Sequence, residues 1–355
     1  GVRGTYEMIA TVGSNVTSYD DTEITPNTIY YYTLWAYNSA GASAFSNEVM
    51  SYTVDLNVLS PNGGEIVPSG STHTIEWEAI GDLVSDLTYT VEYSTDGGST
   101  WKLIAEGLTG TTHGWTVPKP TKNLRNCLVR VKGVDSDGKK RGSDKSDSAF
   151  TIEVTRLTSP NGAEVWEAGT TQTITWTTET TVRDVARVKL FYSKDGGSSW
   201  TLIEPIDGNP ETFDWTIPAP NGNKKSCLVK VILYDSSGGQ VGADTSDDAF
   251  TIEVVELTYP NGGQTLTPGA TEVITWVTNS TIRSVSKVKL SYTKDGETWI
   301  SIETLDTNPE TYDWIVPLGS KERKKCKVKI TLLDDRGNAI GSDVSDSTFT
   351  ILAAP

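Results

Sequence analysis

The chain has 355 residues, 36% hydrophobic and 21% charged, and its 30 Lys and Arg against 46 Asp and Glu give a formal net charge of −16. An acidic surface repels phosphate backbones, so nucleic acid is not an expected partner. No apolar stretch approaches the ~18 residues that cross a bilayer, so no membrane insertion is expected. The first residue is Gly1 and no signal segment is present, which reads as a piece of a longer polypeptide. Length alone allows two to four domains at about 100–150 residues each.

Residues 1–54 stand apart from the rest. Their centre reads Ile24-Thr-Pro26-Asn-Thr28-Ile-Tyr30-Tyr-Tyr32-Thr-Leu34-Trp-Ala36-Tyr-Asn38-Ser-Ala-Gly41-Ala-Ser43. This stretch resembles the second half of a fibronectin type III domain, with Tyr30 at the tyrosine-corner position. The first strands of such a domain, including the Trp-bearing second one, have no counterpart here. Half a sandwich exposes a core face and buries too little apolar surface to offset chain entropy. Two readings stay open: a cloned or proteolytic boundary, or completion of the sheet by strands of another chain, which would build a filament. The tail Ile351-Leu-Ala-Ala-Pro355 resembles the linker that often opens a fibronectin type III domain.

From residue 55 the chain repeats. Pro61, Pro160 and Pro260 sit in Pro-Asn-Gly turns, and Trp77, Trp176 and Trp276 end Ile-x-Trp runs. Cys127, Cys227 and Cys326 open alternating Val/Ile runs, and every step between equivalents is 99 or 100 residues. A period that long is a domain, since solenoid repeats run about 20–50 residues and close no core alone. The expected organisation is a partial domain at 1–54 and three modules at 55–154, 155–254 and 255–355.

Within a module, Ile75 and Trp77 share one face of a half-buried strand, with Thr74 and Glu76 on the other. Tyr89–Tyr93 alternates into Asp96-Gly97-Gly98, a hairpin signal that recurs as Asp195-Gly-Gly197 and Asp295-Gly296. A return strand starts at Trp101, and short strands follow around Trp115 and its counterparts Trp215 and Trp314. Period-two alternation puts each cysteine on the buried face of its strand, and a turn at Asp137-Gly138 precedes the last strand, Ala149–Ile152. About seven short strands at 8 to 12-residue spacing, with no sustained helical stripe, predict an all-β chain of tandem antiparallel β-sandwiches. Gly/Ser-rich tethers are missing, and Phe150–Leu157 and Phe250–Leu257 run straight into the next turn. Three such modules predict a stiff rod of roughly 12 nm.

Residues 55–352 resemble the Kre9/Knh-type and related Ig-like modules found in tandem in secreted and cell-surface microbial proteins. The resemblance rests on Leu59–Glu65, Thr74–Trp77, Tyr93–Trp101 and Ser143–Phe150, each recurring with small changes. It implies an extracellular or cell-surface setting and an accessory, non-catalytic role. The strand Trp and the Cys are expected to meet where an immunoglobulin domain places its inter-sheet disulfide.

Few residues carry chemistry. His73 and His113 occur in the first repeat only, and His73 reads as solvent-facing. No nucleophile elbow, Cys/His dyad or phosphate-binding glycine loop appears, so no enzyme is expected. One cysteine per repeat cannot make a metal or redox centre and reads as an inert core thiol. Asp135-Ser-Asp137-Gly138 starts like a calcium loop, but its equivalents at Asp235 and Asp334 diverge. More regular are Asp144 and Asp147, Asp244 and Asp247, and Asp343 and Asp346, each in a Ser/Ala-Asp-x-Ser-Asp frame. Side-chain capping of a turn explains them, with calcium at a domain junction as the rival; no other cofactor is expected. Trp166, unmatched in the other repeats, reads as a junction anchor or an exposed platform for a sugar face. Asn15-Val-Thr17 and Asn279-Ser-Thr281 match the glycosylation sequon.

The expected function is a non-catalytic structural or adhesive rod, a filament subunit if residues 1–54 join copies. The expected partners are other copies or neighbouring domains of a longer surface protein. The alternative is an accessory or polysaccharide-binding region of a secreted hydrolase. Exposed coplanar aromatics on one module would favour polysaccharide, and an open apolar sheet at 1–54 would favour assembly.

Overall fold

A computed structural model describes residues 5–25, 27–81 and 83–354. Pro26 of the fibronectin-like signature, Pro355 of the tail and Gly1 lie outside the described residues. The chain falls into two compact units: Gly1–Lys119 with Leu124–Glu153, and Pro120–Asn123 with Val154–Pro355. The first contains the N-terminal ribbon and one sandwich, the second two sandwiches.

Each sandwich has the same plan, here given for the second repeat. A three-stranded antiparallel sheet is ordered Thr155–Ser159, Thr171–Thr178, Thr212–Thr216. Facing it is a six-stranded sheet ordered Val165–Glu167, Phe250–Glu253, Lys224–Tyr234, Arg187–Ser193, Thr201–Asp207, with Gln240–Thr245 also on the Lys224–Tyr234 strand. The core between them follows the period-two pattern: Ile174, Trp176, Cys227, Val229, Val231 and Phe250 form one buried cluster. Equivalent clusters fill the first and third sandwiches. Burying each large side chain contributes about 1.5–3 kcal/mol, so the aromatic-rich cores offset the low apolar content.

The all-β tandem-sandwich class read from the sequence is what the chain adopts. It has nine strands per repeat where about seven were expected. One addition is Val165–Glu167, which pairs parallel to Phe250–Glu253 with Trp166 opposite Ile252. The other is Gln240–Thr245, which with its charged first-repeat counterpart Lys140–Lys145 reads as loop but pairs along the edge of the long Cys-bearing strand. Between the second and third sandwiches a single residue, Val254, separates Phe250–Glu253 of one from Val255–Tyr259 of the next.

The N-terminal segment is different. Ile29–Tyr32 and Val49–Tyr52 form a two-stranded antiparallel ribbon with Tyr31 opposite Met50. Beyond it, Tyr37-Asn38 pairs Gly41-Ala42 at a tight turn. The Thr25 N–H donates to Tyr30 Oη at 2.7 Å, so the tyrosine corner is formed.

Candidate functional site

The six aspartates of the repeated frame all act on backbone or on asparagine. Asp144, Asp244 and Asp343 each accept, through Oδ2 at 2.8 Å, the N–H of Val58, Leu157 and Leu257. Those residues border the irregularity where the first strand of each sandwich skips a partner, a place where a backbone donor needs a side-chain acceptor. Asp147, Asp247 and Asp346 accept from the Asn62, Asn161 and Asn261 amides at 2.8, 2.9 and 2.8 Å. Their own N–H groups donate to the same asparagines at 2.7 Å. Between each pair a serine, Ser146, Ser246 or Ser345, donates to the carbonyl of Pro61, Pro160 or Pro260. The frame is thus a staple from the last loop to the Pro-Asn-Gly turn. Among the described residues no group of three or more His, Cys, Asp or Glu is arranged as metal ligands.

The acidic turns that resemble calcium loops close on themselves. Asp235 Oδ1 accepts the N–H groups of Ser237 and Gly239 at 2.9 and 2.8 Å, and its other oxygen pairs with Arg183. Asp334 does the same with Asn338 and Arg283, and Asp135 with Lys139 and Arg141. The Ser237 hydroxyl first, then Arg183, holds the Asp235 carboxyl far below its ordinary range.

His73 is half-buried rather than solvent-facing, and its Nε2 lies 3.4 Å from Ser60 Oγ. The third repeat puts Tyr259 and Glu272 at the same two positions, with the Tyr259 hydroxyl donating to Glu272 at 2.7 Å. The place is therefore a polar pair across strands. The three thiols are fully buried, and burial pushes Cys127 and Cys227 up to about 11.

Trp166 corrects an expectation. It is neither exposed nor a junction anchor but part of its own repeat's core, 5.0 Å from Phe250 and 6.2 Å from Trp215 between ring centroids. Val67 and Leu266 fill the same place in the other repeats. The hairpin tryptophans are covered as well: Arg130 lies 4.1 Å over Trp101, Lys230 3.7 Å over Trp200 and Lys329 4.6 Å over Trp299.

Asn279 of the second sequon is committed to structure. Its N–H donates to Val254 O at 2.8 Å and its amide to Glu253 O at 3.2 Å. Asn15 of the first sequon is exposed, in a turn with φ 65°.

Exposed aromatics concentrate in one segment. Among the described residues Tyr6, Tyr19, Tyr31, Trp35, Tyr37 and Phe45 are exposed, whereas the exposed large apolar residues of the three repeats are aliphatic. Leu34 is 75% exposed and Val49 51% exposed. Trp35 and Phe45 meet edge to face at 5.4 Å with Tyr6 beside them. A two-stranded ribbon is marginal in water on its own. The end of this one where Ile29 pairs Tyr52 packs against the core of the first sandwich, while Tyr31, Val49 and Met50 stay exposed.

No family model matches the chain, and no curated protein does. Solved structures do. The fibronectin(III)-like modules of Clostridium thermocellum CbhA are 20% identical, covering 57% of this chain and 94% of theirs at a TM-score of 0.21. The FN1–FN3 domains of chicken CNTN1 are 12% identical, covering 85% of this chain and 98% of theirs at 0.22. The ICAM-5 D1–D4 ectodomain fragment is 13% identical, covering 91% of this chain and 83% of its own at 0.21.

Proposed function

We propose that this chain is a non-catalytic, extracellular structural array: a partial fibronectin type III-like module at 1–54 and three Ig-like modules at 55–154, 155–254 and 255–355. It serves as a spacer, adhesin stalk or filament subunit on a microbial surface, and the N-terminal ribbon is its joint to further strands, supplied by another copy or another polypeptide. The observation that carries this reading is the concentration of the exposed aromatics in the N-terminal segment, beside a ribbon whose strand edges are open. Strand addition uses such edges: backbone hydrogen bonds give affinity and alternate side chains give fit. No helix among the described residues is long and apolar enough to cross a membrane.

Electron microscopy of the native material, with its mass from light scattering, tests this. Assemblies joined at the N-terminal segment support it. Monodisperse monomers with a stable, self-sufficient N-terminal segment contradict the joint and leave only a spacer.

A further inference from the structure

In the second and third sandwiches the core tryptophan of the three-stranded sheet has a built partner. Trp176 Nε1 donates to Asn209 Oδ1 at 2.9 Å and Trp276 Nε1 to Asn308 Oδ1 at 2.8 Å. Each asparagine amide then donates at 3.0 Å to a threonine hydroxyl, Thr178 or Thr278. The first sandwich keeps the tryptophan, Trp77, 2% exposed, but neither partner. Ala79 stands where Thr178 and Thr278 stand, and the connection Thr109–Thr111, between the strands that end at Leu108 and open at Thr112, has no asparagine and is one residue shorter than its counterpart 208–211. Trp77 Nε1 is buried and makes no hydrogen bond. Buried donors without acceptors are rare because an unmade bond is costly.

Beside this indole lies a shallow depression of about 400 Å³ lined by Leu59, Glu76, Glu78, Ala79, Thr111 and Thr112 together with Trp77 itself. The same ground in the other sandwiches holds a threonine pair, Thr158 with Thr175 and Thr258 with Thr275, each at 2.7 Å.

We propose that this depression is a binding site for an acetamido group on a neutral, hydroxyl-rich molecule, the chemistry of an N-acetylated amino sugar. The acetamido oxygen takes the Trp77 N–H, as the Asn209 carboxamide takes that of Trp176. Its methyl packs on Ala79 and Leu59, where a threonine hydroxyl would instead demand a donor. Glu76 and Glu78 accept ring hydroxyls and repel anionic ligands. Because Nε1 is buried, the oxygen reaches it as the connection at Thr109 and Gly110 moves aside. Leu108 packs on the core and the Thr111 carbonyl accepts the Trp77 backbone N–H at 3.0 Å, so the movement is confined to Thr109 and Gly110, where a Cβ built on Gly110 meets nothing within 4 Å.

The test follows the indole N–H resonances of the full chain during titration with N-acetylglucosamine, glucose, acetamide and N-acetyl-lysine amide. One hydrogen bond and a small apolar contact give an affinity on the order of millimolar. N-acetylglucosamine is expected to shift one indole resonance, acetamide the same one more weakly, and glucose none. Replacing Thr109–Thr111 with Gly-Asn-Pro-Glu, the sequence of 208–211, together with Ala79→Thr gives Trp77 the partner its siblings have, and should weaken binding by about tenfold or more. No shift with N-acetylglucosamine, an equal shift with glucose, or a shift that survives the replacement overturns the site. A stronger response to N-acetyl-lysine amide overturns the sugar assignment.

Discussion

The side chain of Asn223 grips the backbone of Val255 from both sides: its amide donates to the Val255 carbonyl at 2.7 Å, and its Oδ1 accepts the Val255 N–H at 3.1 Å. The same oxygen accepts the Val254 N–H at 2.7 Å. One residue thus satisfies three backbone groups at the point where the chain leaves the second sandwich for the third. Asn223→Ala leaves them unpaired and should cost about 1–3 kcal/mol. Chemical denaturation of the full chain checks this; an unchanged midpoint would show that solvent satisfies the same groups.

The adjoining carboxylate gives the second unit a pH dependence. Burial, then Glu256, Asp343 and Glu167, raise Glu253 from 4.5 to about 7, with Lys225 opposing. The folded chain therefore keeps a proton that the unfolded chain releases, and stability falls as pH rises from about 4.5 through 7. Arg156, in the first strand of the second repeat, stands at the position equivalent to Glu256 in the third, a charge reversal between successive junction sequences. Glu253→Gln should flatten the melting temperature between pH 5 and 8 on the order of a few degrees, and a slope as steep as in the parent chain would refute the assignment.

At the acid end the hairpin aspartates act in the opposite sense. The Thr100 hydroxyl and N–H lower Asp96 from 3.8 to about 2, and Ser199 does the same for Asp195. Their contribution is present above 3.8 and lost as pH falls through about 2. Asp96→Asn combined with Asp195→Asn should shrink the acid-induced loss in a pH titration of stability while leaving the neutral-range slope intact.

The staple aspartates are expected to work without metal. Asp244→Ala removes the acceptor of the buried Leu157 N–H and should cost about 1–3 kcal/mol, equally with calcium or with EDTA. A melting temperature of the parent chain that drops in EDTA would instead restore calcium at these carboxylates.

Removing Asn209 tests how far the core tryptophans depend on their partners. Asn209→Ala orphans the Trp176 indole and should destabilise the second unit by about 1–3 kcal/mol. Thr109→Ala in the first repeat, near the unpartnered Trp77, should fall within the ±0.5 kcal/mol of ordinary surface changes.

Much of this was legible in the sequence because it is local. Alternation around Cys127, Ile75 and Trp77 assigns their buried faces directly, and Asp96-Gly97-Gly98 announces its turn because both glycines take positive φ, 68° and 91°. The spacing from Thr25 to Tyr30 likewise carries the corner. What escaped depends on partners distant in the chain. Trp166, between Val165 and Glu167, looks exposed until the parallel strand at Phe250–Glu253 turns it inward. Lys140–Lys145 reads as a charged loop because only its edge pairing makes it a strand. The asparagine partners of Trp176 and Trp276 lay thirty or more residues downstream. Their one local signal was Asn-Pro-Glu in two repeats but not in the first.

The central claim is that the N-terminal ribbon is an open joint. Amide hydrogen exchange on the isolated full chain tests it most directly, comparing Ile29–Tyr32 and Val49–Tyr52 with the core strand around Val129 and Val131. The account predicts fast exchange in the ribbon beside strong protection in the core, and slowing of the ribbon alone once the chain is in its assembled, native material. Ribbon amides as protected as those of Val129 and Val131 in the isolated monomer would contradict it.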